Sequence, residues 1–291
     1  MKSREFRITV ALALLAVVST VGATSPNEAR KQVELSMVVK GSIDIGVNGN
    51  VEGYEVEQSE KLPPLVLDLI GKQVPLWKFE PVQVDGKPVH ARTLMSLRIV
   101  AKQKDADHAE IDIQSADFHG GQDDEAHGMG IRNRTSLVPL METMMNSGAT
   151  GDVYLALKIG PDGKVMDAIV EQVNLTATGT DAEMAQARKL LGDSTVKVVR
   201  KWTFRVPTSG EEAGKPYWIG VLPVSFEFVG DHKTKYGQWK AYLPGPCTPV
   251  PWPDTDGDTQ EPSVCNSGAA PEGVLTLDNS GPKLLTPLTQ G

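Results

Sequence analysis

Trp77-Lys78-Phe79-Glu80-Pro81 returns as Trp202-Thr203-Phe204-Arg205-Val206-Pro207, and this echo decides how the rest of the chain is read. Working outward, each copy is followed by Gly-Lys-Pro, at Gly86-Lys87-Pro88 and Gly214-Lys215-Pro216. Each is preceded by a hairpin signal, Asn48-Gly49-Asn50-Val51 and Asp162-Gly163-Lys164-Val165. Three landmarks in the same order at two places define a tandem repeat, the feature to look for before single elements are assigned.

The stretches between the landmarks fill in the unit. Met37 to Val47 and Asp152 to Ile159 alternate apolar and polar residues, the period of a half-buried strand. Asn-Gly and Asp-Gly suit tight turns that need positive φ, so each strand folds back into a partner, Val51 to Val56 and Val165 to Val173. A helix follows in each copy. The first is short, starting near Pro63-Pro64 and running through Leu65, Leu69 and Ile70. The second is longer, with Thr180 or Asp181 as its cap and Ala185 to Val199 supplying the apolar face; Gly192-Asp193 is a candidate break within it. Trp77, Phe79, Trp202 and Phe204 are expected to fill the helix–sheet interface, with Pro81, Pro207, Gly86 and Gly214 shaping the turns around them. Each copy closes on a strand, Ala91 to Val100 with Leu94, Ser96, Arg98 and Val100 on one face, and Tyr217 to Val229. Pro223 has no N–H to give a ladder, which marks the second closing strand as an edge. The expected unit is β-β-α-β, and the fold class α+β, an antiparallel sheet packed on helix.

Outside the repeat, Lys2, Arg4 and Arg7 precede an apolar run from Ile8 to Val18 broken only by Thr9, then small residues ending in Val21-Gly22-Ala23. That order predicts a secretory signal cleaved near Ala23, because the run is shorter than the ~20 residues a bilayer-spanning helix needs. An uncleaved anchor is the alternative. The expected organisation is a signal peptide at 1–23, a first unit at 34–102, an acidic linker at 103–136, a second unit at 137–229 with a lead-in helix from Pro139 to Asn146 stopped by Gly148, and a Pro/Gly-rich tail at 230–291. The tail's composition predicts an extended or partly disordered segment. The formal net charge of -8 argues against nucleic acid and anionic lipid as partners, since both are polyanions. Cys247 and Cys265 are the two cysteines, and export would place them where disulfides persist, so one intrachain bridge is expected, the alternative being two unpaired thiols.

The second unit resembles the C-terminal domain of TonB. The resemblance is carried by Pro139, Gly151-Asp152-Val153, Pro161-Asp162-Gly163-Lys164-Val165, Val199-Arg200-Lys201-Trp202-Thr203-Phe204, Gly214-Lys215-Pro216 and Val221-Leu222-Pro223-Val224-Ser225-Phe226. The first unit is a divergent copy with Pro81, Asp85-Gly86-Lys87-Pro88, the closing strand and a shorter helix. The resemblance implies a periplasmic domain that grips an extended peptide, such as one from an outer-membrane protein, by strand addition at its closing strand. Carried over, the partner-binding strand is Ile219, Val221, Leu222, Val224 and Phe226, and Pro223 leaves open whether it is receptive or partly blocked. The chain lacks the family's Pro-rich spacer between anchor and domain, which argues against force transmission.

The expected function is therefore a non-catalytic envelope binding or scaffold protein that recruits an extended peptide, an envelope protein or a second copy of itself. A divergent energy transducer with a retained anchor and an envelope enzyme are the alternatives. No Gly-x-Ser-x-Gly, His-Glu-x-x-His or phosphate loop occurs, so no catalytic residue and no cofactor is assigned. His108, His119 and His127 lie among Asp105, Asp107, Asp112, Asp117, Asp123 and Asp124 without the tight spacing of a ligand set, and read as a solvated acidic linker. Asp254-x-Asp256-Gly257-Asp258 starts like a calcium loop, but Thr259 stands at the turn glycine and Cys265 at the closing glutamate. No metal site is assigned.

Overall fold

A computed structural model describes residues 32–84, 86–103, 109–119, 129–137, 140, 144, 147–209, 213–227, 234–253, 263–267, 276–277 and 281–289. The predicted signal peptide lies outside them, as do His108, His127, Asp105, Asp107, Asp123, Asp124 and the Asp254–Asp258 stretch. The fold is α+β, with antiparallel sheets and two main helices.

The first half supplies β1 (Glu34–Ile45), β2 (Val51–Val56), helix α1 (Pro64–Gln73), the short pair β3 (Gln83–Val84) and β4 (Lys87–Pro88), β5 (Ala91–Gln103) and β6 (Ala109–His119). The second supplies β7 (Gly130–Asn133), β8 (Gly151–Ile159), β9 (Val165–Leu175), helix α2 (Asp181–Val199), β10 (Thr203–Arg205) and β11 (Trp218–Phe226). The tail adds β12 (Lys240–Tyr242) and β13 (Thr276–Leu277). The first sheet runs β12-β1-β5-β6, with β2 also on β1; the second runs β13-β11-β8-β9. Alternation turns one face of each sheet onto its helix. Met37, Val39, Ile43, Met95, Leu97 and Ile99 pack with Val66 and Ile70 of α1 and with Trp77 and Phe79. Val153, Leu155, Leu157, Leu222 and Val224 pack with Met184 and Leu191 of α2 and with Trp202 and Phe204.

The two hairpins are built by the same hydrogen bonds. Gly46 N–H donates to Asn50 O and Gly160 N–H to Lys164 O, both at 2.9 Å. Asn50 N–H bonds the Asn48 side chain at 3.1 Å, and Lys164 N–H bonds that of Asp162 at 3.0 Å. The Trp-x-Phe strand then lies across the turn: Phe79 N–H donates to Gly49 O and Phe204 N–H to Gly163 O, both at 2.7 Å. This explains why the turn glycine and the Trp-x-Phe motif occur together. Gly49 and Gly163 have φ of 79° and 75°, and a Cβ there would come within 2.0 Å of Phe79 O and 2.1 Å of Phe204 O. Only glycine meets both demands.

Thr180 is the N-cap of α2, with a reciprocal capping box to Glu183. The candidate break at Gly192-Asp193 does not occur; α2 runs through it to Val199. Gly192 instead answers close packing, since a Cβ would lie 3.0 Å from Val170 Cγ2 of β9. In the lead-in segment, Leu140, Met144 and Ser147 are helical and Gly148 follows with φ 68°.

Two readings of the sequence need correction. Residues 109–119, assigned to an acidic linker, form β6 and pair along β5 from Gln103↔Ala109 to Leu94↔His119. Ile113 and Phe118 enter the first core, with a register shift opposite Arg98/Ile99 that breaks the alternation by which a strand is recognised. The tail, expected to be extended or partly disordered, is also ordered where described. β12 pairs with Glu34–Ser36 of β1, and Leu243 exchanges two hydrogen bonds with Leu175 of β9, at 3.0 and 2.7 Å. Tyr236, Trp239, Leu284 and Leu288 pack on the first core and Leu243 is buried in the second. A few spaced apolar residues thus anchor a segment whose average composition reads as loop.

Candidate functional site at the sheet edges

The five residues assigned to the partner strand all lie on β11, but none presents a free side chain. Ile219, Val221, Leu222, Val224 and Phe226 are between 3 % and 7 % exposed. Leu222, Val224 and Phe226 face α2, while Val221 sits with Tyr154 and Val264 on the opposite face. On its outer edge, Gly220 and Val221 pair with Leu277 and Thr276 of β13, so the chain occupies that part of the edge itself. Beyond Val221 the remaining outer edge runs from Leu222 to Phe226, with Ser225 exposed within it and Pro223 without a donor.

The motif residues divide by role. Trp77, Phe79, Trp202 and Phe204 are buried to 4 % exposure or less. The indole of Trp77 donates to Leu288 O at 2.9 Å and that of Trp202 to Thr135 O at 3.1 Å. Gly86 and Gly214 take φ of 72° and 77° in turns with open space around them, so the turn conformation alone calls for glycine. Pro207 is buried and Pro81 half-buried beside the Gly49 turn.

Between the sheets lies a polar seam that the sequence did not announce. Met95, Leu97 and Ile99 point to α1, so Ser96, Arg98 and Val100 take the other face of β5, and all three are buried. Arg98, 1 % exposed, donates to the Tyr154 hydroxyl at 2.7 Å and to Gln114 Oε1 at 3.1 Å. Its guanidinium stands 5.1 Å from the Tyr242 ring centroid and 5.8 Å from that of Tyr154. Burial works against its charge, yet the tyrosines and Asp152 outweigh that and hold its pKa above the usual arginine range. The Tyr242 hydroxyl donates to the Glu34 carboxylate. Burial, reinforced by Glu34 against the pull of Arg98, moves that hydroxyl above the ordinary phenol range. Next along, Lys240 of β12 holds Asp152 and Glu227, each at 2.9 Å; Lys240 and Asp152 side chains are 8 % and 2 % exposed. This seam joins β5, β8 and the tail strand β12, and so couples both sheets to residues 240–242.

The outer edge of β9 is fastened in the same way. Gly245 N–H bonds Asn174 Oδ1, Gln172 Nε2 donates to Gly245 O, and Thr248 N–H donates to Glu171 O. Cys247 and Cys265 are disulfide-bonded, which brings Ser263 to Glu171 Oε1 at 2.6 Å.

Cavities lined by described residues open elsewhere. One of 450 Å³ is lined by Arg132, Asp162, Phe204, Arg205 and Thr208 among others; one of 270 Å³ lies beside Thr150, Thr178, Glu183 and Met184. Their carboxylates are already committed, Asp162 to Lys164 and Glu183 to the α2 cap, and those bonds hold both pKa values below the ordinary range. Among the described residues no group of three His, Cys, Asp or Glu could hold a metal, and no helix is long and apolar enough to cross a membrane. Comparison with protein families, curated proteins and solved structures finds no match to the chain.

Proposed function

We propose that this chain is a non-catalytic binding or scaffold protein of the cell envelope, exported by its N-terminal signal, that recruits an extended peptide or partner protein by strand addition. In this reading its two units are divergent copies of a TonB C-terminal-like domain, and the receptive edge is the part of β11 from Leu222 to Phe226. The observation that carries the reading is how the chain treats its own edges. β12 adds to β1, β13 adds to β11, and Leu243 bridges to β9, each an extended segment joined by main-chain pairing, to which the side chains of Lys240 and Tyr242 add polar contacts. A fold whose edges accept strands from distant sequence has the chemistry that β-augmentation needs: backbone donors and acceptors for affinity, alternating side chains for selectivity.

The test is site-specific photo-crosslinking in envelope preparations. A benzophenone residue at Ser225, on the edge, is expected to capture a discrete partner that the same residue at exposed Lys189 on α2 does not. Absence of any adduct specific to position 225 counts against this edge as the contact.

A further inference from the structure

A different edge carries a more detailed claim, which does not depend on β11. In the first unit, residues 283–288 run antiparallel to Trp77–Glu80. Glu80 N–H donates to Lys283 O at 2.9 Å, Leu285 N–H to Lys78 O at 2.7 Å, and Phe79 bridges to Leu284. Lys78 N–H bonds the Thr286 hydroxyl at 3.1 Å, and the Trp77 indole donates to Leu288 O. In the second unit the same edge carries β7: Phe204 pairs with Ile131, Arg205 with Gly130 and Thr203 with Asn133, and the Trp202 indole donates to Thr135 O.

The registers coincide. In both units the residue opposite the Phe is aliphatic, Leu284 or Ile131, and the carbonyl four residues later accepts the indole N–H, at Leu288 or Thr135. Midway stands a residue with a side-chain oxygen, Thr286 or Asn133. The two segments are otherwise unlike, Lys-Leu-Leu-Thr-Pro-Leu against Gly-Ile-Arg-Asn-Arg-Thr, and one precedes its unit while the other comes from 208 residues beyond the Lys78 it meets. One register filled twice by unrelated sequences is the mark of a site reading main chain and a sparse side-chain code. In the first unit Leu284 and Leu288 pack on the core, while Lys283, Leu285 and Pro287 face outward.

We propose that the edge Trp77–Glu80 is a binding site for an extended peptide of the pattern aliphatic-x-Thr/Asn-x-Leu/Thr, and that residues 284–288 are its resident, displaceable ligand. The Trp77 indole fixes register by its single hydrogen bond to the fifth residue of the peptide. The backbone of Lys78 and Glu80 supplies the remaining bonds. Phe79 takes no part through its own N–H, which is held by Gly49.

The full chain tests this directly. A protease site is inserted between Asn279 and Ser280, the folded protein is cut, and its fragment is washed away at low concentration. A labelled synthetic peptide Gly281–Gly291 is then titrated by fluorescence anisotropy. The cut chain is expected to bind it with a Kd in the micromolar range, and the uncut chain at least tenfold more weakly because its site is filled. Trp77→Phe should weaken binding about tenfold, and a peptide with Leu284→Asp and Leu288→Asp should not bind. Equal binding to cut and uncut chains, no binding to the cut chain, or collapse of the first unit when the fragment leaves each overturns the proposal. The last would make residues 284–288 an integral strand. None of these results bears on cross-linking at Ser225, so the two readings fail separately.

Discussion

Replacing Lys240 with methionine removes the cation of the seam and keeps most of the side-chain volume. Its Nζ lies 2.9 Å from both Asp152 and Glu227, with Asp152 only 2 % exposed at its side chain. Glu227, 25 % exposed, can turn to water, whereas Asp152 cannot. Removing one partner of a buried pair costs about 3–5 kcal/mol, because the remaining charge is stranded out of water. The lower end applies, since the Arg98 charge still acts on Asp152. Lys240→Met is therefore expected to lower unfolding stability by about 3 kcal/mol. Lys240→Met combined with Asp152→Leu should recover most of that loss, as apolar replacement of a whole buried pair is often neutral or favourable. Urea unfolding at pH 7 reads both. A single mutant within 1 kcal/mol of the parent, or a double mutant less stable than the single, would refute the assignment of this contact as a buried ion pair.

Other outcomes follow from the same geometry. Gly163→Ala forces a positive φ on alanine and drives a Cβ into Phe204 O, so it should cost about 1–2 kcal/mol for the backbone conformation and roughly another 1 kcal/mol for the lost Phe204 bond, measured by denaturant unfolding. Tyr242 holds its proton to higher pH in the folded state than the ordinary value of 10.0. The unfolded chain therefore ionises first, and stability should be full below about pH 10 and fall as pH rises above it, with Tyr242→Phe flattening that decline in alkaline melting curves. Reducing the Cys247–Cys265 bridge, or replacing both residues with serine, frees a span of 18 residues and should cost about 3 kcal/mol on the loop-entropy account. Its thermal melt should show the loss, with β9 around Glu171 exchanging amides faster than β8.

Much of the fold was legible because two local signals coincided in each half. Alternating strands end in Asn-Gly or Asp-Gly, and Val51–Val56 is a strand with the bounds expected of it. Thr180 and Glu183 announce α2 through chemistry confined to four residues. β6 was missed for a physical reason: the register shift near Ile113 interrupts its period, and Glu110, Asp112 and Asp117 give the segment the charge of a linker. Gly192 looked like a break because sequence shows its missing side chain but not Val170 above it. The polar seam was hidden more deeply. Ser96 and Arg98 alternate with the core residues of β5 as a solvated face would, and nothing local says that Tyr154 and Tyr242 cover them. The tail's role likewise depends on partners up to 211 residues away, as between Trp77 and Leu288.

The central claim is that extended segments complete the edges of this fold through main-chain pairing, and residue-resolved amide hydrogen exchange tests it most directly. On deletion of residues 282–291, the amides of Lys78 and Glu80 should lose protection, since they bond Thr286 and Lys283, while the neighbouring Phe79 amide, held by Gly49, should keep it. Unchanged exchange at Lys78 and Glu80, or equal loss at Phe79, would contradict the account.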